Sequence, residues 1–169
     1  MFGFGQLIGI LKKNPKKIVF TEGEDPRILE ASSRLLASYF LHPILIGDEK
    51  RIADAAEESG FNIRGAEIID PEKFDKIDEM VELYCELRKK KGVTPDQARE
   101  ILKQANYFGT MLVKMGFADA LLGGATYSTA DTVRPALQLI KTKPGNNLVS
   151  SCFILVRPSA TGDNEVLAM

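Results

Sequence analysis

Short hydrophobic clusters along this chain alternate with longer stretches in which apolar residues recur every three or four positions. The clusters are rich in isoleucine, valine and leucine and end in polar or glycine-containing segments, which is typical of buried strands. They lie at residues 17–20, 43–47, 66–71 and 118–124. The helical spacing covers residues 26–39, 48–59, 76–90, 94–105, 106–116 and 130–141. Repeated strand–helix units predict an α/β fold with a mostly parallel sheet and flanking helices.

Two of the predicted helices have clear start signals. Asp25 precedes Pro26, and Thr94 precedes Pro95, so each pair supplies a capping side chain and a proline at the first helical position. These signals fix where the two helices begin.

The apolar spacing also predicts which helix faces are buried. In the helix that begins near residue 26, Tyr39 falls on the apolar face. In the last helix, Val133, Leu137 and Ile140 are expected to face inward.

The C-terminal part of the chain changes character after residue 141. Residues 148–156 predict a further strand, whereas residues 158–169 lose periodicity and predict a loop or a disordered end. The turn at residues 144–147 is the best candidate boundary. We therefore expect an α/β domain over residues 1–144 and the truncated start of a second domain over residues 145–169.

Composition and charge exclude several classes of protein. The chain has 169 residues, of which 44% are hydrophobic and 27% are charged, as in ordinary globular proteins. A net charge of −1 gives no bulk attraction to nucleic acid. No apolar run is long enough to cross a membrane, and the first basic cluster follows the apolar start, the reverse of a secretory signal. We expect a cytoplasmic protein that binds neither nucleic acid nor membrane.

The cysteines and the single histidine give no sign of a metal site. Cys85 and Cys152 lack CxxC spacing, so we interpret them as reduced, small packing residues. His42 precedes a proline and has no second ligand at metal spacing, which indicates a turn residue.

The segment with the most chemical information is residues 123–135. It begins with two glycines after a predicted strand and contains Ser128, Thr129, Asp131 and Arg134. Glycines let the backbone approach a ligand, N–H groups at a helix start donate to anions, and a guanidinium supplies the opposite charge. The pattern favours a phosphate site. The alternative is an ordinary helix cap at Ser128 or Thr129, with Asp131 and Arg134 paired on the helix surface.

Two further arginines are candidates for the same site. Arg27 follows the acidic turn at residues 21–25, which disfavours phosphate there, so a capping or surface role competes with a role in a neighbouring cleft. Arg88 lies near a predicted helix end, where a solvated cation would offset the helix dipole without any ligand.

Taken together, the motifs resemble the phosphate acetyltransferase family, in its order, over about residues 17–156. The matching pieces are residues 18–27, 43–47, 87–92, 106–111 and 124–142. The resemblance implies the reaction of acetyl-CoA with phosphate to give CoA and acetyl phosphate, without a metal or a cofactor other than CoA as substrate. It also implies an architecture like that of isocitrate and isopropylmalate dehydrogenases, with two α/β domains around a cleft, and a homodimer in full-length members.

The resemblance also assigns roles to individual residues. Ser128, Thr129 and Arg134 would line the pocket for phosphate or acetyl phosphate, and Arg88 would help to hold CoA or phosphate. Arg134 is then the candidate for stabilising the charged intermediate. Tyr127 stands where most members carry histidine, so any role of that histidine is not carried over.

The chain is about half as long as a full member of the family, so we expect an N-terminal portion with little activity by itself. Two other functions stay open at this point. One is a non-catalytic module that binds acyl-CoA or acetyl phosphate, and the other is a phosphate butyryltransferase.

Overall fold

The computed structural model describes residues 4–39, 41–158 and 164–168. The helices are α1 (Phe4–Lys13), α2 (Pro26–Ser38), α3 (Glu49–Glu58), α4 (Ile77–Leu87), α5 (Pro95–Leu102), α6 (Ala105–Lys114) and α7 (Thr129–Pro135). The strands are β1 (Lys16–Phe20), β2 (Leu41–Ile46), β3 (Glu67–Ile69), β4 (Ala120–Leu122), β5 (Ile154–Pro158) and β6 (Asn164–Ala168). A 3₁₀ turn at Lys89–Lys91 follows α4, and a π-helical turn at Ala136–Ile140 continues α7.

Strands β1 to β4 form one parallel sheet in the order β3-β2-β1-β4. The predicted α/β fold with a parallel sheet and flanking helices is confirmed. The predicted positions of these strands and of helices α2 to α7 agree with the structure to within a few residues, whereas α1 carries no signal that the sequence analysis used.

The apolar residues of β1 and β2 are buried on both faces of the sheet, because successive strand residues point to opposite sides and helices cover each side. Val19 and Ile44 belong to the core that includes α4, α5 and α6. Phe20 and Leu45, the next residue in each strand, belong to the core that includes α2 and α3. Continuous apolar runs in β1 and β2 follow from this two-sided burial.

The capping signals are confirmed in detail. The Asp25 carboxylate accepts a hydrogen bond from the backbone N–H of Arg27 at the start of α2. At the start of α5, Thr94 and Gln97 form a reciprocal capping box, in which each side chain accepts from the other residue's backbone N–H.

Two predicted helix faces are wrong. Tyr39 adopts a left-handed conformation (φ 57°) as the cap of α2, so its ring leaves the apolar face and is 81% exposed. In the last helix, Leu139 is the fully buried residue, whereas Val133, Leu137 and Ile140 are exposed. The π-helical turn closes with a bond from the Lys141 N–H to the Ala136 carbonyl, and its extra residue shifts the helical phase.

The C-terminal expectations need correction as well. Residues 148–153 form neither strand nor helix, and the strand begins only at Ile154. Residues 164–168 form β6 and pair antiparallel with β5, where a loop or disordered end was predicted; residues 159–163 and 169 of that segment lie outside the described residues. Cys152 is exposed and does not pack, whereas Cys85 packs against the core. The domain boundary at residue 144 stays a prediction.

Among the described residues, no helix combines the length and the apolar character that a membrane crossing requires.

Candidate functional site at the switch point of the sheet

Strand order reverses at β1, because β2 lies on one side of it and β4 on the other. Parallel α/β sheets bind ligands beyond the carboxyl ends of strands at such a reversal. Here the loop that follows β1, residues 21–25, meets the loop that follows β4, residues 123–128. We call residues 123–128 the glycine turn. Each loop is recognisable in the sequence by itself, and the strand order brings the two together.

The glycine turn does hold an anion, but the anion is a side chain of the protein. Oε1 of Glu22 accepts hydrogen bonds from the backbone N–H groups of Gly124 (3.1 Å), Thr126 (2.9 Å) and Tyr127 (3.2 Å). These are not the amides of the first turn of α7, from which donation to phosphate was expected, so that expectation stays a prediction. In this contact the amides of the glycine turn converge on a negative charge.

The environment of Glu22 favours its charged form. Partial burial raises the pKa of its carboxyl, but the N–H of Thr126, the hydroxyl of Thr21 and the N–H groups of Tyr127 and Gly124 outweigh this effect. The pKa of Glu22 lies below its usual value. Glu22 is thus a carboxylate over the whole neutral range.

Close packing at Gly123 completes this contact. The Thr21 hydroxyl donates to Oε2 of Glu22 at 2.8 Å, and a Cβ at Gly123 would lie 2.7 Å from the same hydroxyl oxygen. Any side chain at Gly123 would displace Thr21 from Glu22. Gly124 has φ +109°, a conformation that strongly favours glycine.

Arg27 is hydrogen-bonded to a backbone carbonyl of the glycine turn. One Nη2–H of Arg27 donates to the Ala125 carbonyl at 2.7 Å, and the guanidinium also binds both carboxylate oxygens of Asp25. Of the two roles considered for Arg27, the structure shows the capping role, extended to the neighbouring turn. These bonds use the Nε and Nη2 edge of the guanidinium, and the side chain remains 67% exposed.

Ser128 and Thr129 lie at the start of α7. The Ser128 hydroxyl accepts from the Asp131 N–H (3.2 Å) and donates to the Asp131 carboxylate (2.6 Å), so it caps the helix. Thr129 is the first helical residue and is exposed. The Ser128 cap of the alternative interpretation is therefore present, whereas the Asp131–Arg134 ion pair of that alternative is not formed among the described residues.

Arg134 is exposed on α7 and lines a cavity of about 250 Å³ together with Asn106, Tyr107 and Asp131. Asn106 donates through Nδ2 to the Asp131 carbonyl at 2.8 Å, and the Tyr107 hydroxyl lies 3.3 Å from Oε1 of Gln138. These bonds fix α6 against α7 and give the cavity polar walls. Arg134 forms no hydrogen bond or ion pair with another described residue, so its guanidinium is available to a ligand.

Arg88 follows α4 and is half-buried. Its Nε is buried and has no hydrogen-bond partner among the described residues, and its backbone N–H donates to the Tyr84 carbonyl at 3.0 Å. The Tyr84 ring in turn packs edge-on against Tyr107 at 6.4 Å between centroids, and burial raises the pKa of its phenol. The Tyr84–Tyr107 pair therefore connects Arg88 to the wall of the Arg134 cavity, which Tyr107 lines.

A second cavity lies at the carboxyl ends of β1 and β2. It has a volume of about 460 Å³ and is lined by Glu22, Glu24, Asp25 and Tyr127, among others. Burial and the Glu22 charge raise the pKa of Tyr127. These acidic walls disfavour an anion, which agrees with the sequence interpretation of residues 21–25.

Sequence reasoning missed the role of Glu22. The available signal was its position immediately after β1, one strand away from the glycine turn. That neighbourhood depends on the pairing of β1 with β4, which no local pattern reveals.

Comparison with known proteins identifies the family. The profile of the family described as "Phosphate acetyl/butaryl transferase" matches residues 4–168. The chain belongs to this family. The resemblance drawn from the motifs is confirmed.

Relatives in this transferase family cover the chain almost completely. The phosphate acetyltransferase of Bacillus subtilis is 50% identical over 141 residues, which are 83% of this chain and 43% of that protein. The phosphate acetyltransferase of Thermoanaerobacterium thermosaccharolyticum is 46% identical over 156 residues, which are 92% of this chain and 47% of that protein. The chain thus spans about half the length of the curated relatives it matches.

Solved structures agree with the fold. The EutD phosphotransacetylase from Staphylococcus aureus superposes with a TM-score of 0.85 at 40% identity, over 99% of this chain and 50% of that one. A phosphotransacetylase from Streptococcus pyogenes gives a TM-score of 0.80 at 40% identity, over 98% of this chain and 51% of that one.

Proposed function

We propose that this chain forms the phosphate- and CoA-binding wall of a phosphate acetyltransferase, which interconverts acetyl-CoA plus phosphate with CoA plus acetyl phosphate. The observation that carries the proposal is the exposed Arg134 guanidinium, which lines a polar cavity between α6 and α7, the helix that follows the glycine turn. An arginine at such a place binds a phosphate group by paired N–H donors. Family membership makes acyl transfer the reaction to which that recognition belongs.

The chemistry needs positioning and charge stabilisation more than a nucleophile on the protein. A phosphate oxygen attacks the thioester carbon, the carbonyl oxygen takes up negative charge, and the carbon–sulfur bond then breaks to release the CoA thiolate. Arg134 would orient the phosphate and offset the developing charge. Ser128 and Thr129 at the start of α7 would contact the same phosphate.

Arg88 would help to hold CoA or the substrate phosphate. Its buried Nε carries an N–H that no described residue accepts, and leaving such a donor unsatisfied is costly. A phosphate oxygen of CoA or the substrate phosphate would satisfy it.

Titration calorimetry with acetyl phosphate tests the site. We expect binding by the wild-type chain and a loss of at least tenfold in affinity for Arg134→Ala, since one charge-assisted interaction is removed. Arg34→Ala is the matched control, because Arg34 is exposed on α2 and its guanidinium pairs with Glu30 one turn earlier in the same helix. Equal binding by wild type and Arg134→Ala would remove Arg134 from the site.

Turnover is a separate measurement. Because the chain spans half of its relatives, we expect it to form acetyl-CoA from acetyl phosphate and CoA slowly or not at all. Because slow or absent turnover fits both the acetyltransferase and the non-catalytic binding module, turnover above background would exclude the binding module, and faster transfer of butyryl than acetyl groups would favour the butyryltransferase.

Cellular context completes the proposal. The substrates acetyl-CoA, CoA, phosphate and acetyl phosphate need no metal, and we propose that the protein acts in the cytoplasm. We also propose that full-length members assemble as homodimers. Cell fractionation and size-exclusion chromatography test these two points.

A further inference from the structure

The contact between Glu22 and the glycine turn has the geometry of an anion site that is already filled. Three backbone N–H groups of the turn point to Oε1 of Glu22 within 3.2 Å, and the Thr126 hydroxyl lies 3.4 Å from the same atom. Three closely spaced N–H donors that converge on one oxygen are what a phosphate oxygen meets in a phosphate-binding loop. Here the accepting oxygen belongs to a side chain of the protein, Glu22, in the loop that follows β1.

The N–H donors of the glycine turn and one of its carbonyl acceptors are bound by the loop that follows β1 and by the first turn of α2. Glu22 receives the N–H groups, and Arg27 donates to the Ala125 carbonyl. Asp25 holds the Arg27 guanidinium in place through two bonds. The turn that leads into Ser128 and α7 is therefore fixed by a pair of opposite charges.

Resting on the proposed function, we propose that Glu22 is a positioning residue that fixes the glycine turn and thereby sets where Ser128 and Arg134 meet the substrate phosphate. The substrate phosphate then binds on the Arg134 side of the turn and leaves the turn amides with Glu22. Glu22 itself touches no substrate.

Removal of the carboxylate would leave a vacant anion cradle. In Glu22→Ala, three amides converge on a space without an acceptor, so the turn relaxes or takes up a small anion from solution. In Glu22→Gln, one oxygen remains to accept from the amides, but the charge is lost. The expected order of effects is Ala larger than Gln.

Amide NMR on the full 169-residue chain at neutral pH, without ligand, reads this contact directly. We expect the proton shifts of Gly124, Thr126 and Tyr127 to move upfield together in Glu22→Ala, and less in Glu22→Gln. Glu24→Ala is the matched control, because Glu24 bonds to Arg51 at 2.7 Å and contacts none of these amides. Addition of acetate to Glu22→Ala should return the three shifts toward their wild-type positions, by filling the cradle with a free carboxylate.

Binding shows whether the fixed turn positions the site. We expect Glu22→Ala to bind acetyl phosphate about tenfold more weakly than wild type, which corresponds to about 1.4 kcal/mol, and acetate to restore part of the affinity. Glu24→Ala should bind like wild type. A purely structural defect would not respond to acetate.

The outcomes separate this proposal from the proposed function. If the three amide shifts stay in place in Glu22→Ala, or if its affinity equals that of wild type, the positioning role is overturned. If phosphate addition to the wild type moves the shifts of Gly124, Thr126 and Tyr127 most, the substrate displaces Glu22 and the proposal is also overturned. If the wild-type chain binds no acetyl phosphate, the proposed function fails, and the ligand-free shifts and acetate rescue alone decide whether Glu22 holds the turn.

Discussion

The close approach of Gly123 to Thr21 can be tested by a double-mutant cycle. The substitution Gly123→Ala places a Cβ 2.7 Å from the Thr21 hydroxyl oxygen, about half an ångström or more inside ordinary contact. Gly123 does not have a positive φ, so alanine is allowed by its backbone and the cost is steric. Thr21 cannot move away freely, because its hydroxyl is bonded to Glu22 at 2.8 Å.

The magnitude follows from these contacts. Overpacking a buried position costs about 1–3 kcal/mol, and replacement of glycine gives back about 0.4–1 kcal/mol by restricting the unfolded chain. We therefore expect Gly123→Ala to lower the free energy of unfolding by about 1.5 kcal/mol in the wild-type background. In a Thr21→Ala background the hydroxyl is absent, so the same change should be neutral or slightly stabilising. The coupling free energy should be about 1.5–2 kcal/mol.

Urea unfolding followed by far-ultraviolet circular dichroism measures all four corners of this cycle. Thr21→Ser is the matched control, because it keeps the hydroxyl and should keep the full cost of Gly123→Ala. Effects that add to within about 0.5 kcal/mol would refute the argument that Thr21 limits the space at Gly123.

Further predictions concern stability and use the same unfolding assay. Thr94→Ala should cost about 1 kcal/mol by removing the capping box of α5, and Thr94→Ser should cost much less. Leu139→Ala should cost about 2–5 kcal/mol, whereas Ile140→Ala should cost under about 1 kcal/mol, and the reverse order would contradict the shift in helical phase. Lys141 has φ 65° and ψ 176°, so Lys141→Gly should stabilise the chain by about 1 kcal/mol; a loss of stability would contradict this strain. Folding lowers the pKa of Glu22, so the contribution of its carboxylate to the free energy of unfolding is complete at neutral pH and is lost as the pH falls below about 4.3. An equally steep loss of stability at acid pH in Glu22→Gln would contradict this.

Local signals predicted the elements well where they act within a few residues. Asp25 before Pro26 and Thr94 before Pro95 mark helix starts because the cap and the helix are adjacent in sequence. The buried face of the last helix was predicted wrongly because a π-helical turn changes the residue spacing, and no apolar pattern distinguishes Leu139 from Ile140. The prediction for Tyr39 was wrong for a related reason, since its left-handed cap conformation removes its ring from the apolar face of the helix.

The candidate site shows the same division. The anion-binding character of the glycine turn was readable from residues 123–128, because glycines and a helix start are local features. The identity of the anion was not, because Glu22 is about a hundred residues away along the chain. Only the parallel pairing of β1 with β4 brings the two loops together, and that pairing is decided by the packing of helices on both faces of the sheet.

Under the proposed function, the hydrogen bonds from the turn amides to Glu22 limit which groups are left to bind phosphate. In a phosphate-binding loop the backbone supplies most donors, and a single cation completes the site. Here those amides are satisfied by a carboxylate, the Ser128 hydroxyl donates to Asp131, and Arg27 uses one edge of its guanidinium for Asp25 and Ala125. The proposed binding of phosphate would therefore rest above all on the Arg134 guanidinium, with Ser128 joining it once its hydroxyl turns from Asp131. Such a site would place the charge on a side chain that can follow the phosphate through the reaction, while the backbone beneath it stays fixed.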